Sequence, residues 1–516
     1  MKFSFSSIKS LKEIETSVLV SVLNKKFVND FYKKNGKCDC GSKCKCGKIC
    51  LCKKTPLQQA IYDSNFEGEK GQSAVVSTNF GKIIFFGIGE EEDADGPGKY
   101  ESVGYSLYKT LKSLKVKEAS ILFESSVEKI TFSKNKHQID FLNGILLGGY
   151  DFTKYMSKDK SKSKEVVTES LTVLTDSKEL PKLFKEKEII AKNVFFCRDL
   201  INEPANVLYP ESYVEIIKKE FKNLPVKIEV LDEKQLKKIG ANSLLAVSQG
   251  SVRAPFLVSI EYNGGKGAPV AFVGKGVCFD SGGLSLKPSS GTSMEMKEDM
   301  SGSAVVVSTL KLLAERKAKV NAVGVVALVE NMPSGTATKI QDIVKSLSGQ
   351  TIEILNTDAE GRLILADALY YTATKFKPQT IIDLATLTGA ICVALGDGFA
   401  GNFSNSEELD EELKSAAKQT TEYIWKMPLS PIGEGYDKMI DSDWADMKNV
   451  GGRDAGSITA AQFLQRFINK HSKWAHLDIA SVAFVRNSKY FVDKGATGWG
   501  VRLLNELIKI NYEKKV

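Results

Sequence analysis

Histidine is nearly absent: the 516 residues hold three, His137, His471 and His476. No HExxH pattern occurs, which excludes a zinc protease site built on two histidines of one helix. Neither GxSxG nor GxxxxGK[ST] appears, so the nucleophile elbow and the nucleotide phosphate loop are missing too. No stretch reaches the roughly 18 apolar residues that a membrane span needs. The one apolar run near the start, Val18 to Leu23, follows Glu13 and Glu15 and is too short for a signal peptide. Cytoplasm is therefore the expected location, with no membrane partner. Six of the nine cysteines crowd into one tract, and Cys197, Cys278 and Cys392 are scattered, unlike a disulfide-stapled secreted fold.

The chain is too long for one hydrophobic core and implies at least two domains. With 42% hydrophobic and 26% charged residues it has an ordinary globular balance. A net charge of +8, from 71 Lys+Arg against 63 Asp+Glu, permits weak contact with nucleic acid without arguing for it. Ser17–Leu23, Lys82–Ile88 and Ala119–Phe123 have strand length, and Tyr105–Leu114 has helical spacing. These place a small α/β domain over 1–165, followed by a linker over 166–190. The polar run Ser157–Glu165 reads as an exposed loop. Over 191–516, buried strands at Lys227–Leu231, Phe256–Tyr262, Val270–Gly274, Ala322–Leu328 and Thr380–Leu384 alternate with helical patterns such as Ser301–Arg316 and Ala366–Lys375. The expected fold is two α/β domains, each a mostly parallel or mixed sheet flanked by helices. In such sheets ligands sit at the carboxyl ends of the strands.

The chemistry concentrates in the second domain. The Gly-rich stretch GKGVCFDSGGLSLKP (274–288) has the wrong spacing for a phosphate cradle and carries Asp280 at its centre. Lys275 and Asp280 are expected beyond the carboxyl end of Val270–Gly274. Lys287 follows, then Asp299 in MKEDM, just before a helix. Farther on lies NTDAEGRL (356–363); in an extended segment Asp358, Glu360 and Arg362 would point one way. Four converging carboxylates repel one another unless cations intervene. Two divalent metals, bridged ~3.5–4 Å apart, would make this a hydrolytic site.

NTDAEGRL, GKGVCFDSGGLSLKP and MKEDM closely resemble the leucyl aminopeptidase family of two-metal cytosolic peptidases. The resemblance runs from about Asn193 to the C-terminus and includes NEPAN (202–206), ATLTGA (385–390) and WAHLDIA (474–480). Lys287 to Asp299 is one residue longer than that family's usual gap. The resemblance implies that Asp280 and Glu360 bridge the metals, that Lys275 and Asp299 complete the tighter site, and that Asp358 completes the more exchangeable one. A ligating lysine must be neutral, so Lys275 is expected to have a lowered pKa. Lys287 would stabilise the oxyanion, and Arg362 would hold a bicarbonate serving as general base. Leu387 and Gly389 would bind the substrate main chain, and Met296, Thr386, Gly389, Ala480 and Ala483 would wall an apolar pocket favouring Leu or Met. The resemblance further implies peptide substrates, two Mn²⁺ or Zn²⁺ ions per subunit, and a homohexamer.

Taken singly these residues have plainer readings: Lys287 as a solvated lysine, Asp299 as a helix cap. His476 and Trp474 read as packed structural residues rather than ligands. A scaffold of this type that binds DNA, or has lost activity, is the competing class. The cysteine tract, an insertion over 36–54, stands apart. Cys38, Cys40, Cys44, Cys46, Cys50 and Cys52 form three C-x-C pairs, each separated by three residues. Thiolates at this density suit soft metals; a reduced unligated insertion and disulfides are the other readings, the last disfavoured in a cytoplasm. Deleting residues 38–52 is expected to abolish accessory metal binding, measured by metal analysis after reduction, while peptidase activity survives.

Overall fold

The computed structural model describes residues 1–6, 17–26, 28–29, 64–78, 81–90, 98–123, 135–157, 168–288, 291–469, 472–489 and 491–513. The cysteine tract, His471 and nearly all of Ser157–Glu165 lie outside them. The chain divides into two compact units, Met1–Ala191 and Lys192–Val516.

Among its described residues the first unit holds six strands: β1 (Lys2–Ser6), β2 (Val18–Leu23), β3 (Ser73–Thr78), β4 (Gly81–Gly87), β5 (Glu118–Leu122) and β6 (Ser170–Leu174). They form one sheet in the order β1-β6-β5-β2-β4-β3. Every pairing is parallel except the β3–β4 hairpin at one edge. β2 is buried on all six residues, which a doubly covered parallel strand requires. The stretch 166–190, expected to be a linker, carries β6 and the first half of a 23-residue helix, Leu180–Asn202. Its alternating SLTVL pattern is a strand signal that the neighbouring polar run obscured.

The second unit is built on β7 (Val226–Leu231), β8 (Phe256–Asn263), β9 (Val270–Asp280), β10 (Asn321–Asn331), β11 (Ile343–Lys345), β12 (Thr351–Glu353), β13 (Thr380–Ala385), β14 (Ala400–Ser404), β15 (Ile424–Lys426), β16 (Met447–Lys448) and β17 (Lys473–Asp478). Eight of them make a mixed sheet in the order β15-β14-β17-β13-β9-β10-β8-β7, and β11-β12-β16 make a smaller one. The four central strands, β17, β13, β9 and β10, are mutually parallel, so their carboxyl ends share one edge. Helices cover both faces. Added Cβ atoms on Gly274 and Gly324 would strike helix Ser301–Glu315. Ala271, Val273, Val323 and Val325 instead cluster with Leu363, Ile364 and Ala366 of helix Gly361–Phe376. Alternation along a strand separates these two sets, and it puts Lys275 on the second face.

That second helix is pinned from within. Asp367 is fully buried and accepts from the backbone N–H of Leu347 at 2.8 Å and of Leu244 at 2.9 Å. Burial pushes its carboxyl up to about 7. Asp367→Ala strands two buried donors and should cost roughly 2–4 kcal/mol in urea unfolding. A folded-state pKa above the ordinary ~3.9 favours the fold fully below that pH and loses the contribution as pH rises through about 7. Stability of Asp367→Asn should therefore fall less steeply across that window.

Candidate metal centre

Strand β9 runs six residues past Gly274, so Lys275 lies inside it and Asp280 is its last residue. This corrects the expected shorter strand: β10 stays paired with it through Asp280. Opposite β10, the register slips between Val329 and Asn331, leaving an extra residue on β9 before Asp280. A bulge of this kind re-aims the next side chain. Asp280 Oδ1 accepts from Gly282 N at 2.9 Å and from Asn331 Nδ2 at 2.8 Å, and its Oδ2 lies 2.8 Å from Lys287 Nζ.

Asp358 and Glu360 are not in an extended row with Arg362, as the sequence pattern suggested. Asn356 Oδ1 accepts from Asp358 N at 2.9 Å and bends the chain into a turn. Glu360 already has helical backbone angles, and Arg362 belongs to the first turn of helix Gly361–Phe376. Turn and helix together still bring the carboxylates to one place. Single oxygens of Asp280, Asp358 and Glu360 lie within 4.8 Å of one another. Lys275 Nζ sits 2.8 Å from both Asp299 Oδ1 and Glu360 Oε1, and donates to Thr386 O at 2.9 Å. Its approach depends on Gly361, where a Cβ would stand 2.7 Å from Nζ.

Burial is the dominant influence on Asp280, Asp299 and Asp358. It raises Asp280 and Asp299, and Glu360 adds repulsion to both; it raises Asp358, with Asp280 adding to it. Burial alone would depress Lys275, but Asp299, Glu360 and Asp280 outweigh it and hold the ammonium above its ordinary value. The expected lowering at Lys275 is therefore reversed when only the protein's own charges act. Lys287 follows the same balance, with Asp280 and Glu360 prevailing. Burial lowers Arg362 to about 10 against the pull of Glu360 and Asp478.

The donor set fits divalent cations. Four carboxylates face two ammonium groups, so negative charge is in excess. Asp299 Oδ2 and Glu360 Oε2 are buried and find no hydrogen-bond partner among the described residues. Arg362 gives Nη1 to Asn449 O at 2.8 Å, while its Nε is buried and likewise without a described partner, which suits an anion.

The other expected residues fall at the same edge. Thr386 and Leu387 follow β13, and Gly389 opens the short helix Gly389–Leu395. Thr386 Oγ1 donates to Asp299 Oδ1 at 2.9 Å. Ala480 and Ala483 follow β17. Asp478 joins these two segments, accepting from Leu387 N at 3.1 Å, Ala480 N at 3.3 Å and Thr388 Oγ1 at 2.6 Å. Met296 is half-buried in the helical segment Gly291–Glu298 that leads to Asp299. Asn331, Asp478 and Asn449 had no place in the sequence reading. Their positions at strand ends were the available signal, but isolated Asn and Asp residues at strand ends are too common to single out. His476 and Trp474 are fully buried and both bind Asp383, at 2.6 and 2.7 Å, as packed residues do.

Grouped oxygen donors and a buried lysine amine at the carboxyl edge of a parallel sheet define a metal-dependent hydrolase. The pattern of the cytosol aminopeptidase family's catalytic domain matches residues 195–505, and that of its N-terminal domain matches 52–159. A probable cytosol aminopeptidase of Rhizobium meliloti is 46% identical over 84% of this chain and 86% of its own length. One of Wolbachia pipientis wMel is 46% identical over 87% and 88%. Among solved structures, a mutant tomato leucine aminopeptidase superposes with a TM-score of 0.81 at 30% identity, covering 99% of this chain and 97% of its own. The bottromycin maturation enzyme BotP in complex with Mn gives 0.79 at 26%, covering 96% and 99%. The chain belongs to the cytosol aminopeptidase family, and is a hydrolase of the metallo-exopeptidase type.

Gly361→Ala should push the Lys275 amine off its carboxylates. Misplacement on the scale of 1 Å costs about 100-fold in rate, and steady-state kinetics with metal added would read that loss in kcat/KM.

Proposed function

We propose that this protein releases N-terminal amino acids, preferably leucine or other apolar residues, from peptides in the cytoplasm. The convergence of Asp280, Asp299, Asp358 and Glu360 around Lys275 carries the reading. Asp280 and Glu360 would bridge two ions, with Lys275 and Asp299 completing one site and Asp358 the other. Hard oxygen donors suit Mn²⁺ or Zn²⁺, and the Mn complex of BotP supports the first. Bound there, the two ions supply an activated water and an anchor for the substrate's free α-amine, which restricts cleavage to the N-terminus. Lys275 must give up its proton to serve as a ligand, so its raised pKa couples metal uptake to proton release.

The chain's own residues do the rest. Lys287, less enclosed than Lys275, presents an ammonium to the carbonyl oxygen as negative charge develops. Arg362, whose Nε has no partner among the described residues, would hold a bicarbonate able to accept a proton from water. Leu387 and Gly389 bind the peptide main chain, and Met296, Thr386, Ala480 and Ala483 face its first side chain. By family likeness the protein is a homohexamer. Soft-metal binding by Cys38, Cys40, Cys44, Cys46, Cys50 and Cys52 remains a separate proposal, on residues outside the described ones.

Chelated protein should hydrolyse Leu-p-nitroanilide only after Mn²⁺ or Zn²⁺ is returned, and Asp358→Ala should stay inactive at the same metal concentration. Wild-type protein inert with both metals would overturn the reading.

A further inference from the structure

Asn449 lies just after β16 and is fully buried, yet among the described residues its side chain makes no hydrogen bond to a proposed ligand side chain. It commits its polar atoms to the turn that presents them. Oδ1 accepts from Leu355 N at 2.9 Å and from Asn356 N at 3.3 Å. Nδ2 donates to Asn356 O at 2.6 Å and to Ala359 O at 3.4 Å. Its backbone N–H donates to Glu353 O at 3.0 Å, and its carbonyl takes Arg362 Nη1 at 2.8 Å.

We propose that Asn449 is a positioning residue for the reaction: its side-chain amide holds the turn that carries Asp358 and Glu360, and its backbone carbonyl holds Arg362. Ala359, whose carbonyl it holds, is the residue between Asp358 and Glu360. Nε has no partner among the described residues, and the Nη1 bond to the Asn449 carbonyl fixes one end of the guanidinium fork. The anchor is itself fixed. β16 pairs with β12, Thr351 and Asp446 bind each other through N–H and hydroxyl at 2.7 and 2.8 Å, and Arg466 donates to Asp446 O at 3.3 Å. Loops that carry ligands need such outer support, because metal affinity depends on where the ligands are held. The inference rests on the roles given above to Asp358, Glu360 and Arg362.

Asn449→Asp keeps the acceptor for Leu355 and Asn356 but cannot donate to Asn356 O or Ala359 O. Asn449→Ala loses both functions. Three measurements on full-length protein decide: thermal unfolding after chelation, Mn²⁺ titration by calorimetry, and kcat and KM for Leu-p-nitroanilide with Mn²⁺ saturating. The expected result for a variant that folds is a melting point without metal lowered by the lost donors to Asn356 O and Ala359 O, Mn²⁺ affinity weaker by about 10–100-fold, and loss in kcat/KM. If the Ala variant does not fold, the Asp variant decides alone. Wild-type Mn²⁺ affinity and kcat in a folded variant would overturn the inference. Wild-type protein that binds no Mn²⁺ would overturn the metal roles first, and this inference with them.

Discussion

Four carboxylates, three of them deeply buried, stand within reach of two ammonium groups at one edge of a parallel sheet. Such a group is electrostatically costly without added positive charge, and burial raises the cost. Much of the second unit's architecture follows from holding it. The strand ends supply Asp280, the loop before helix Ser301–Glu315 supplies Asp299, and the turn before helix Gly361–Phe376 supplies Asp358 and Glu360. The four carboxylates come from three separate segments, Asp358 and Glu360 sharing one turn.

Close approach of those elements is what brings the charges together. Helix Ser301–Glu315 can settle onto the sheet only because residue 302 is glycine, where a Cβ would stand 2.0 Å from Leu384 O. Asp299 is thereby brought to Lys275 and Thr386. On the other face Gly361 lets the helix start beside the Lys275 amine. The lysine is thus clasped between two helix beginnings, and this explains its deep burial in the middle of a strand.

Several features were legible from residues alone. The alternation of buried strands with helices gave the class of fold, and the ordered motifs gave the acids and lysines that meet in space. The path between them was less legible. Lys275 was expected beyond its strand, but β10 stays paired with β9 through Asp280 and carries the strand on past Gly274. The extended row of Asp358, Glu360 and Arg362 gave way to a turn, because Asn356 caps it locally and Asn449 holds it from 93 residues away in sequence. Such a distant partner leaves no periodic trace.

By itself the sequence determined the reaction class. Paired acids, two lysines and an arginine in long ordered motifs, with no histidine pair, serine elbow or phosphate loop, leave carboxylate-held metals as the chemistry. Tertiary structure alone decided how that chemistry is held: the bulge that turns Asp280, the three buried carboxylates that surround the Lys275 amine, and the asparagines that tie strand ends to the ligand turn. The physical reason is range. Residue type and local spacing record what a side chain can do, whereas burial, repulsion and hydrogen bonds between distant segments arise only when the sheet has formed.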